Sequence, residues 1–184
     1  SLGTPIDRLA VAIGVGDKHI DRARLLYDAG VRIFCADIAH GHHVLMKTML
    51  TRLREIFGDT VHIMAGNVAT LSGFNDLADW GADSIRVGIG GGSICSTRVQ
   101  TGHGIPTLES IMMCAKSDRN AKLIADGGIR TSGDIVKSLA AGADFVMLGS
   151  FLAGHAESPG DVIVINGESR MTYRGMASKD AQIA

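Results

Sequence analysis

Short runs of consecutive apolar residues alternate along the chain with longer segments in which apolar residues recur every three or four positions. The runs predict β-strands buried on both faces, and the periodic segments predict amphipathic helices packed against them. Six strands are predicted, over residues 9–16, 31–41, 61–70, 82–90, 121–129 and 143–150. Helices are predicted between them, over residues 19–30, 43–58, 71–81, 106–117 and 131–142. This alternation indicates an α/β fold with a parallel sheet.

Two architectures fit this alternation, an open doubly wound sheet and a (β/α)8 TIM barrel. Polar residues and glycines end nearly every predicted strand, which favours the barrel, because an open sheet concentrates its functional residues at one switch point. These residues are Gly14, Gly16, Asp37, His40, Asn67, Arg86, Gly88, Asp126, Gly127, Gly128, Gly149 and Ser150. A closed barrel needs eight strands and six are predicted. Either the single barrel domain over residues 1–184 lacks two strands, or the fold is not a closed barrel.

After residue 150 the pattern changes. The segment VINGES places Asn166–Gly167 between two short runs of strand-forming residues. An Asn-Gly pair in that setting predicts a β-hairpin with a two-residue turn.

Charge and cysteine content narrow the possible partners and compartment. The chain has 18 basic and 19 acidic residues and a net charge of −1, so we expect neither a nucleic-acid nor a membrane-surface partner. No apolar run is long enough to span a bilayer, and the segment SLGTPIDRLA lacks the layout of a signal peptide. With an odd number of cysteines, three, these features lead us to expect a cytoplasmic protein with free thiols.

The glycine-rich stretch GIGGGSICSTR, residues 88–98, carries the cysteine with the most polar neighbours. Cys35 and Cys114 lie in apolar runs and are predicted to be buried. Cys95 lies among Gly, Ser, Thr and Arg98, where a thiol ionises more readily. A nucleophilic Cys95 is therefore favoured over a structural one.

Two glycine-containing turns are predicted at the ends of the last two strands, at Gly127–Gly128 and at Gly149–Ser150. In TIM barrels the loops after the last strands commonly bind phosphate through backbone N–H groups. Ser93 and Ser150 would add hydroxyl donors, although tight turns alone would also use such glycines. Asp126 would be repelled by a phosphate, so we expect it to face ribose hydroxyls or to cap a turn.

Two other motifs are assigned no cofactor role. His40, His42 and His43 are too closely spaced for several of them to bind one ion, so we expect no zinc and favour a role at a helix start or in ligand contact. The glycines of GIGGGS are followed by Cys-Ser-Thr-Arg rather than directly by a helix, unlike the Rossmann fingerprint.

Seven segments together resemble the catalytic barrel of the IMP dehydrogenase and GMP reductase family. They are DIAHGH (37–42), AGNVAT (65–70), VGIGGGSICSTR (87–98), GHGIP (102–106), ADGGIRTSGDIVKSLAAGADFVMLGS (125–150), AGHAESPG (153–160) and YRGMAS (173–178). The resemblance implies a (β/α)8 barrel that assembles as a homotetramer. It begins near the third strand of the family's barrel, so strands one and two are expected to be missing here.

The resemblance also assigns roles to individual residues. Cys95 would attack C2 of a purine mononucleotide, and Thr97 would help to activate water or ammonia. The residues that would bind the substrate are Ser93, Asp126, Gly127, Gly128, Gly149, Ser150, Tyr173, Gly175 and Met176. Those on the nicotinamide side would be Asp37, Ala39, Asn67 and Gly88. The carbonyls of Gly88, Gly90 and Cys95 resemble a monovalent-cation site, for which potassium is the expected ion.

The family contains two reactions that differ in direction. A reductase would release ammonia from GMP and use NADPH to form IMP, whereas a dehydrogenase would use NAD to convert IMP to XMP. The segments AGHAESPG and DIAHGH resemble reductases more, so a GMP reductase is the first hypothesis and an IMP dehydrogenase the second. Two further hypotheses are an inactive nucleotide-binding fragment and another phosphate-binding barrel enzyme without a covalent step.

The chain departs from the family pattern at two positions. Gly91 replaces a proline of the glycine-rich loop and is expected to loosen it. Lys179 stands where one branch of reductases has a catalytic glutamate, so the neighbouring Asp180 is the candidate for that catalytic role.

Overall fold

A computed structural model describes residues 5–158 and 160–173. Its strands are β1 (Ala10–Ile13), β2 (Ile33–Asp37), β3 (His62–Val68), β4 (Ser84–Val87), β5 (Lys122–Asp126), β6 (Phe145–Met147), β7 (Val162–Ile165) and β8 (Glu168–Met171). Its α-helices are α1 (Asp17–Asp28), α2 (Val44–Phe57), α3 (Leu71–Asp79), α4 (Thr97–Thr101), α5 (Thr107–Cys114) and α6 (Ser132–Ala140). All six predicted strands and five predicted helices are present.

The order of the strands distinguishes the two candidate architectures. Strands β1 to β6 form one sheet in which every strand is parallel to, and paired with, the next one along the chain. A doubly wound sheet starts in its middle and reverses direction at a switch point, whereas a TIM barrel keeps the sequential order. The fold is therefore a partial (β/α)8 barrel of six consecutive strands, and the predicted fold class is confirmed.

The core lies between the middle of this sheet and the helices α1 to α3 and α5. On β2 and β3 the paired residues Phe34 and Ile63 are fully buried, and they belong to one cluster with Leu50 and Leu77 of the helices. All four residues of β4 are buried. Burial decreases towards the sheet edges, where Phe145 on β6 is 58% exposed.

The observed strands are shorter than the predicted ones at their carboxyl ends. The predicted strand 31–41 ends at Asp37, and the predicted strand 82–90 ends at Val87. Glycine ends the second of these strands, because Gly88 has a φ of 133° that a regular strand does not contain. The apolar pattern continues into these loops, so the sequence alone overextends the strands, and the extra residues form the candidate site instead.

The segment after residue 150 contains the predicted hairpin. Strands β7 and β8 pair antiparallel and are joined at Asn166 and Gly167, whose φ angles are 53° and 83°. Two consecutive positive φ angles identify a type I′ turn, which explains the Asn-Gly pair.

The longest α-helix in the described ranges, α2, has 14 residues. None of the helices there combines the length and the hydropathy that crossing a bilayer requires.

Candidate active site

The glycine-rich loop begins directly after β4 and crosses the carboxyl end of β5. The N–H of Gly88 donates to the carbonyl of Val68, and a Cβ added at Gly88 would overlap the carbonyl oxygen of Asp126. Only glycine fits at this crossing, because a side chain there would collide with the backbone of the next strand. The loop is thereby brought directly onto the turn that follows Asp126.

The turn at Gly127–Gly128, one of the two predicted to bind phosphate, packs against this loop, and both the turn and the loop contribute glycine backbone to the contact. Gly127 and Gly128 have φ angles of 92° and 80°. A Cβ added at Gly127 would lie 3.1 Å from the carbonyl carbon of Gly91 and 3.1 Å from the nitrogen of Gly92. The two glycine segments, separated by more than thirty residues in sequence, therefore form one continuous surface.

This surface forms one wall of a cavity of about 100 Å³. Seven of the nine predicted substrate-binding residues line it, namely Ser93, Asp126, Gly127, Gly128, Gly149, Ser150 and Tyr173. The other lining residues are Gly92, Ile129, Arg130 and Met147. Whole-ligand pockets usually exceed about 300 Å³, so this cavity matches a phosphate-sized part of a nucleotide rather than all of it. The predicted residues Gly175 and Met176 lie outside the described residues, as does the predicted catalytic residue Asp180.

Cys95 lies beside this cavity and is exposed. Its N–H donates to the carbonyl of Gly92, a lining residue, at 3.1 Å, and its thiol donates to the hydroxyl of Thr97 at 3.3 Å. The predicted nucleophile and its predicted partner Thr97 are therefore in contact. The thiols of Cys35 and Cys114 are buried as predicted, and burial raises the pKa of Cys114 to about 11.

A short helix, α4, follows Cys95 where the sequence predicts only a loop. It has five residues and ends at Gly102, which is left-handed. Arg98, expected to sit near the thiol, instead donates to the carbonyls of Ile89 and Ile105.

A second cluster of polar side chains surrounds the buried Arg86 at the ends of β2, β3 and β4. Its guanidinium donates to Asp37 at 2.5 Å and to Asn67 at 3.0 Å, and it lies 3.6 Å from Asp126. Arg86 also donates to the Cys35 sulfur at 3.1 Å. Cys35 is therefore not the purely apolar residue that its sequence neighbours suggested. Burial raises the pKa of the Cys35 thiol.

Opposing effects act on the Arg86 cation. Burial tends to lower the pKa of Arg86, but the contacts with Cys35 and with the carboxylates of Asp37 and Asp126 raise it, and the net shift is upward. The cation therefore stays charged and holds the surrounding oxygens in place. In the sequence, Arg86 is one of the polar residues at a predicted strand end and has no predicted role. The sequence feature that could have indicated a role is a charged residue inside the apolar strand ADSIRV, because a buried arginine requires partners.

Three of the four residues predicted on the nicotinamide side, Asp37, Asn67 and Gly88, belong to this Arg86 cluster. Asp37 and Asn67 bind Arg86, and the Asn67 amide also donates to the carbonyl of Gly88 at 2.7 Å and to Asp126 at 2.8 Å. The Asp37 side chain remains 42% exposed, so its carboxylate can accept hydrogen bonds from a ligand. Ala39, also exposed, lies in the turn after β2.

The Gly88 carbonyl is also part of the predicted monovalent-cation site. Because it accepts from the Asn67 amide, only its second lone pair could serve an ion. Gly90 lies on the other side of Ile89, against the side chain of Arg98. Within residues 5–158 and 160–173 there is also no group of three or more His, Cys, Asp or Glu side chains placed to hold a metal.

Two of the three histidines near β2, His42 and His43, have structural partners. The His43 side chain accepts from the Leu45 N–H at 3.1 Å as the N-cap of α2, which confirms the predicted role at a helix start. The Nε2 atom of His42 lies 2.6 Å from the Asp76 carboxylate of α3.

Gly91, the residue in the position of the family's proline, is closely packed. A Cβ added there would lie 2.6 Å from the Thr107 hydroxyl at the start of α5. We expect Gly91→Ala to lower the free energy of unfolding by about 1–3 kcal/mol, as overpacking usually does. Adding Thr107→Ala should recover part of this loss, because it removes the nearest clashing atom but leaves the carbonyl carbon of Gly127 at 3.2 Å. Urea unfolding measures both effects.

The matched control is Gly133→Ala in α6, where the nearest atom to an added Cβ is 3.7 Å away. There alanine should stabilise by about 0.5–1 kcal/mol through helix propensity. Equal effects of the two glycine substitutions would contradict the close packing at Gly91.

Comparisons with known proteins give a consistent result. The family profile described as "IMP dehydrogenase / GMP reductase domain" matches residues 6–184. An inosine-5'-monophosphate dehydrogenase of Rhizobium tropici is 50% identical over 176 residues, which are 95% of this chain and 35% of that protein. One of Nitrosopumilus maritimus is 45% identical over 183 residues, 98% of this chain and 38% of that protein. The chain thus spans little more than a third of the length of these curated relatives.

Solved structures are similar over the same region. A GMP reductase of Trypanosoma brucei, a cysteine-to-alanine variant in complex with guanosine 5'-monophosphate, superimposes with a TM-score of 0.89 at 44% identity. The match covers 94% of this chain and 36% of that one. An inosine 5'-monophosphate dehydrogenase of Legionella pneumophila gives a TM-score of 0.84 at 51% identity, covering 94% of this chain and 53% of that one.

Proposed function

Because the chain belongs to the IMP dehydrogenase and GMP reductase family, we propose that it supplies the active site of a purine-nucleotide oxidoreductase that works through a covalent bond from Cys95. The observation that carries this proposal is the position of Cys95. It is an exposed thiol beside a phosphate-sized cavity lined by two glycine turns.

The arrangement of the cavity supports a mononucleotide as substrate. Backbone N–H groups at Gly127, Gly128 and Gly149 are suited to a phosphate, and Ser93 and Ser150 add hydroxyl donors. The Asp126 carboxylate is held back from that end by Asn67 and Arg86, where it can accept from ribose hydroxyls. A nucleotide bound in this way directs its base towards the glycine-rich loop that carries Cys95.

The proposed chemistry uses the thiol and its neighbour. In the oxidative direction the Cys95 sulfur would add to C2 of IMP, C2 would lose a hydride to the nicotinamide, and water would then displace the sulfur to give XMP and the free thiol. In the reductive direction the sulfur would displace ammonia from C2 of GMP, and a hydride delivered to C2 would then release the sulfur and give IMP. A bound nicotinamide cofactor, NAD or NADPH, would supply the two-electron exchange with C2. Asp37, Ala39, Asn67 and Gly88 are the residues proposed to hold it, and the exposed carboxylate of Asp37 fits a hydroxyl-rich ligand. Thr97, in contact with the sulfur, would hold the water or ammonia that enters or leaves.

Oxidation of IMP is the proposed direction, because the curated relatives reported above are named for it. Reduction of GMP is the second candidate. The similarity to a reductase bound to guanosine 5'-monophosphate supports it, as do the segments DIAHGH and AGHAESPG. We also propose a homotetramer from the family resemblance, which light scattering would test.

Two assays of the purified protein in potassium buffer distinguish the directions. With IMP and NAD we expect the absorbance of reduced nicotinamide to rise, and with GMP and NADPH we expect no change. The opposite pattern would establish the reductase. Nucleotide binding in calorimetry without turnover in either assay would contradict the proposal of an oxidoreductase and would support the hypothesis of an inactive nucleotide-binding fragment.

Repeating the active assay with a bulky organic cation in place of potassium tests the proposed monovalent-cation site.

A further inference from the structure

Between the end of β4 at Val87 and the start of α5 at Thr107, the chain makes one excursion that carries Cys95. Arg98 lies near its middle and binds both of its ends. The Arg98 Nε donates to the carbonyl of Ile89 at 3.2 Å, and Nη2 donates to the carbonyl of Ile105 at 2.7 Å. One guanidinium therefore closes the excursion where it begins and where it ends.

Two glycines make room for this side chain. A Cβ added at Gly90 would lie 2.6 Å from Cγ of Arg98, and one added at Gly104 would lie 2.7 Å from its Nε. The stem of Arg98 is thus enclosed between two backbone segments. Gly104 lacks a positive φ angle, so the space it leaves for Arg98 is the structural reason for glycine there.

The charge of Arg98 is directed at carbonyl groups rather than at a carboxylate. Among the ion pairs formed within the described residues, Arg98 takes part in none. Hydrogen bonds from a cation are stronger than neutral ones, and a planar fork can reach two acceptors that a lysine ammonium cannot span. The geometry therefore explains an arginine here without reference to the thiol.

We infer that Arg98 is a positioning residue, which holds the loop around Cys95 closed and so sets the place of the sulfur beside the nucleotide cavity. Its catalytic consequence rests on the proposed function, whereas its effect on the loop does not. A misplacement of a reacting group by about 1 Å costs about 100-fold in rate.

The first test measures the loop itself by hydrogen exchange of peptides from residues 88–106. Arg98→Ala should accelerate amide exchange there by about tenfold or more, as expected for loss of charge-assisted hydrogen bonds. Peptides of β2 and β3 should be unchanged. Added methylguanidine should restore the slow exchange, and methylamine should not. The matched control is Arg119→Ala, which removes exposed pairs with Asp79 and Asp118 and should not affect residues 88–106.

The second test is a mutant cycle with Gly104→Ala, which displaces the same side chain. Each single variant should accelerate exchange in the loop, and the double variant should resemble Arg98→Ala rather than multiply the two effects. In turnover, Arg98→Ala should lower kcat by about 100-fold while the Kd of the mononucleotide changes by less than about threefold. Methylguanidine should recover part of kcat.

Three results would overturn the inference: unchanged exchange in Arg98→Ala, an equal acceleration across the whole chain, or multiplicative effects with Gly104→Ala. If the wild-type protein shows no turnover at all, the proposed function fails, but the exchange measurements still decide the role of Arg98 in the loop.

Discussion

Replacing Cys95 by alanine should lower nucleotide turnover by about 10⁴-fold or more and leave nucleotide binding within about threefold of wild type. The physical reason is that the sulfur forms the bond to C2, whereas the lining of the cavity by glycine backbone and by Asp126 is unchanged. Steady-state kinetics and calorimetry with IMP measure the two quantities. Because Cys95 is exposed, we expect the substitution to leave the unfolding curve nearly unchanged.

The matched control is Cys114→Ala. That thiol is 1% exposed in the core, so its loss should reduce stability by about 1 kcal/mol through a small cavity and leave kcat unchanged. Turnover that survives in Cys95→Ala would favour the alternative of a phosphate-binding barrel enzyme without a covalent step.

The second large effect is expected at Arg86. Its replacement by methionine should lower the free energy of unfolding by about 3 kcal/mol, because the partly buried carboxylates of Asp37 and Asp126 lose their cation. It should also raise the KM for the nicotinamide cofactor, since Asp37 and Asn67 lose the group that orients them. Denaturant unfolding and steady-state kinetics measure these effects.

Two variants test the specificity of this result. Arg86→Lys keeps the charge but not the planar fork, so we expect an intermediate loss of stability. Arg119→Met removes exposed ion pairs and should leave the free energy of unfolding nearly unchanged, because solvent screens such pairs. If Arg86→Met and Arg119→Met destabilised equally, the Arg86 cation would not be what holds the surrounding oxygens in place.

The sequence predicted the order of the elements well, because the fold is built from local patterns. Each buried parallel strand is a continuous apolar run, and a parallel sheet of such strands needs helices on its face. Strand β4 illustrates this, since all four of its residues are buried. The choice of a barrel followed from the polar residues at successive strand ends, and the sequential strand order confirms it.

The contacts between loops could not be predicted from local pattern. Arg98 is three residues from Cys95, so proximity in sequence suggested an effect on the thiol, but its side chain turns towards Ile89 and Ile105. The close contact between Gly91 and the Thr107 hydroxyl arises only in the folded chain, so the local sequence could not indicate it. Arg86 likewise acquires its role from residues on other strands.

The bond between Cys95 and the base is tested most directly by trapping it. The protein is incubated with IMP and NAD, quenched in acid during turnover and digested, and the peptides are sequenced by tandem mass spectrometry. We predict a peptide whose Cys95 carries the mass of the nucleotide, and no such mass on Cys35 or Cys114. Turnover without any nucleotide bound to Cys95, or with the nucleotide on another cysteine, would contradict the account.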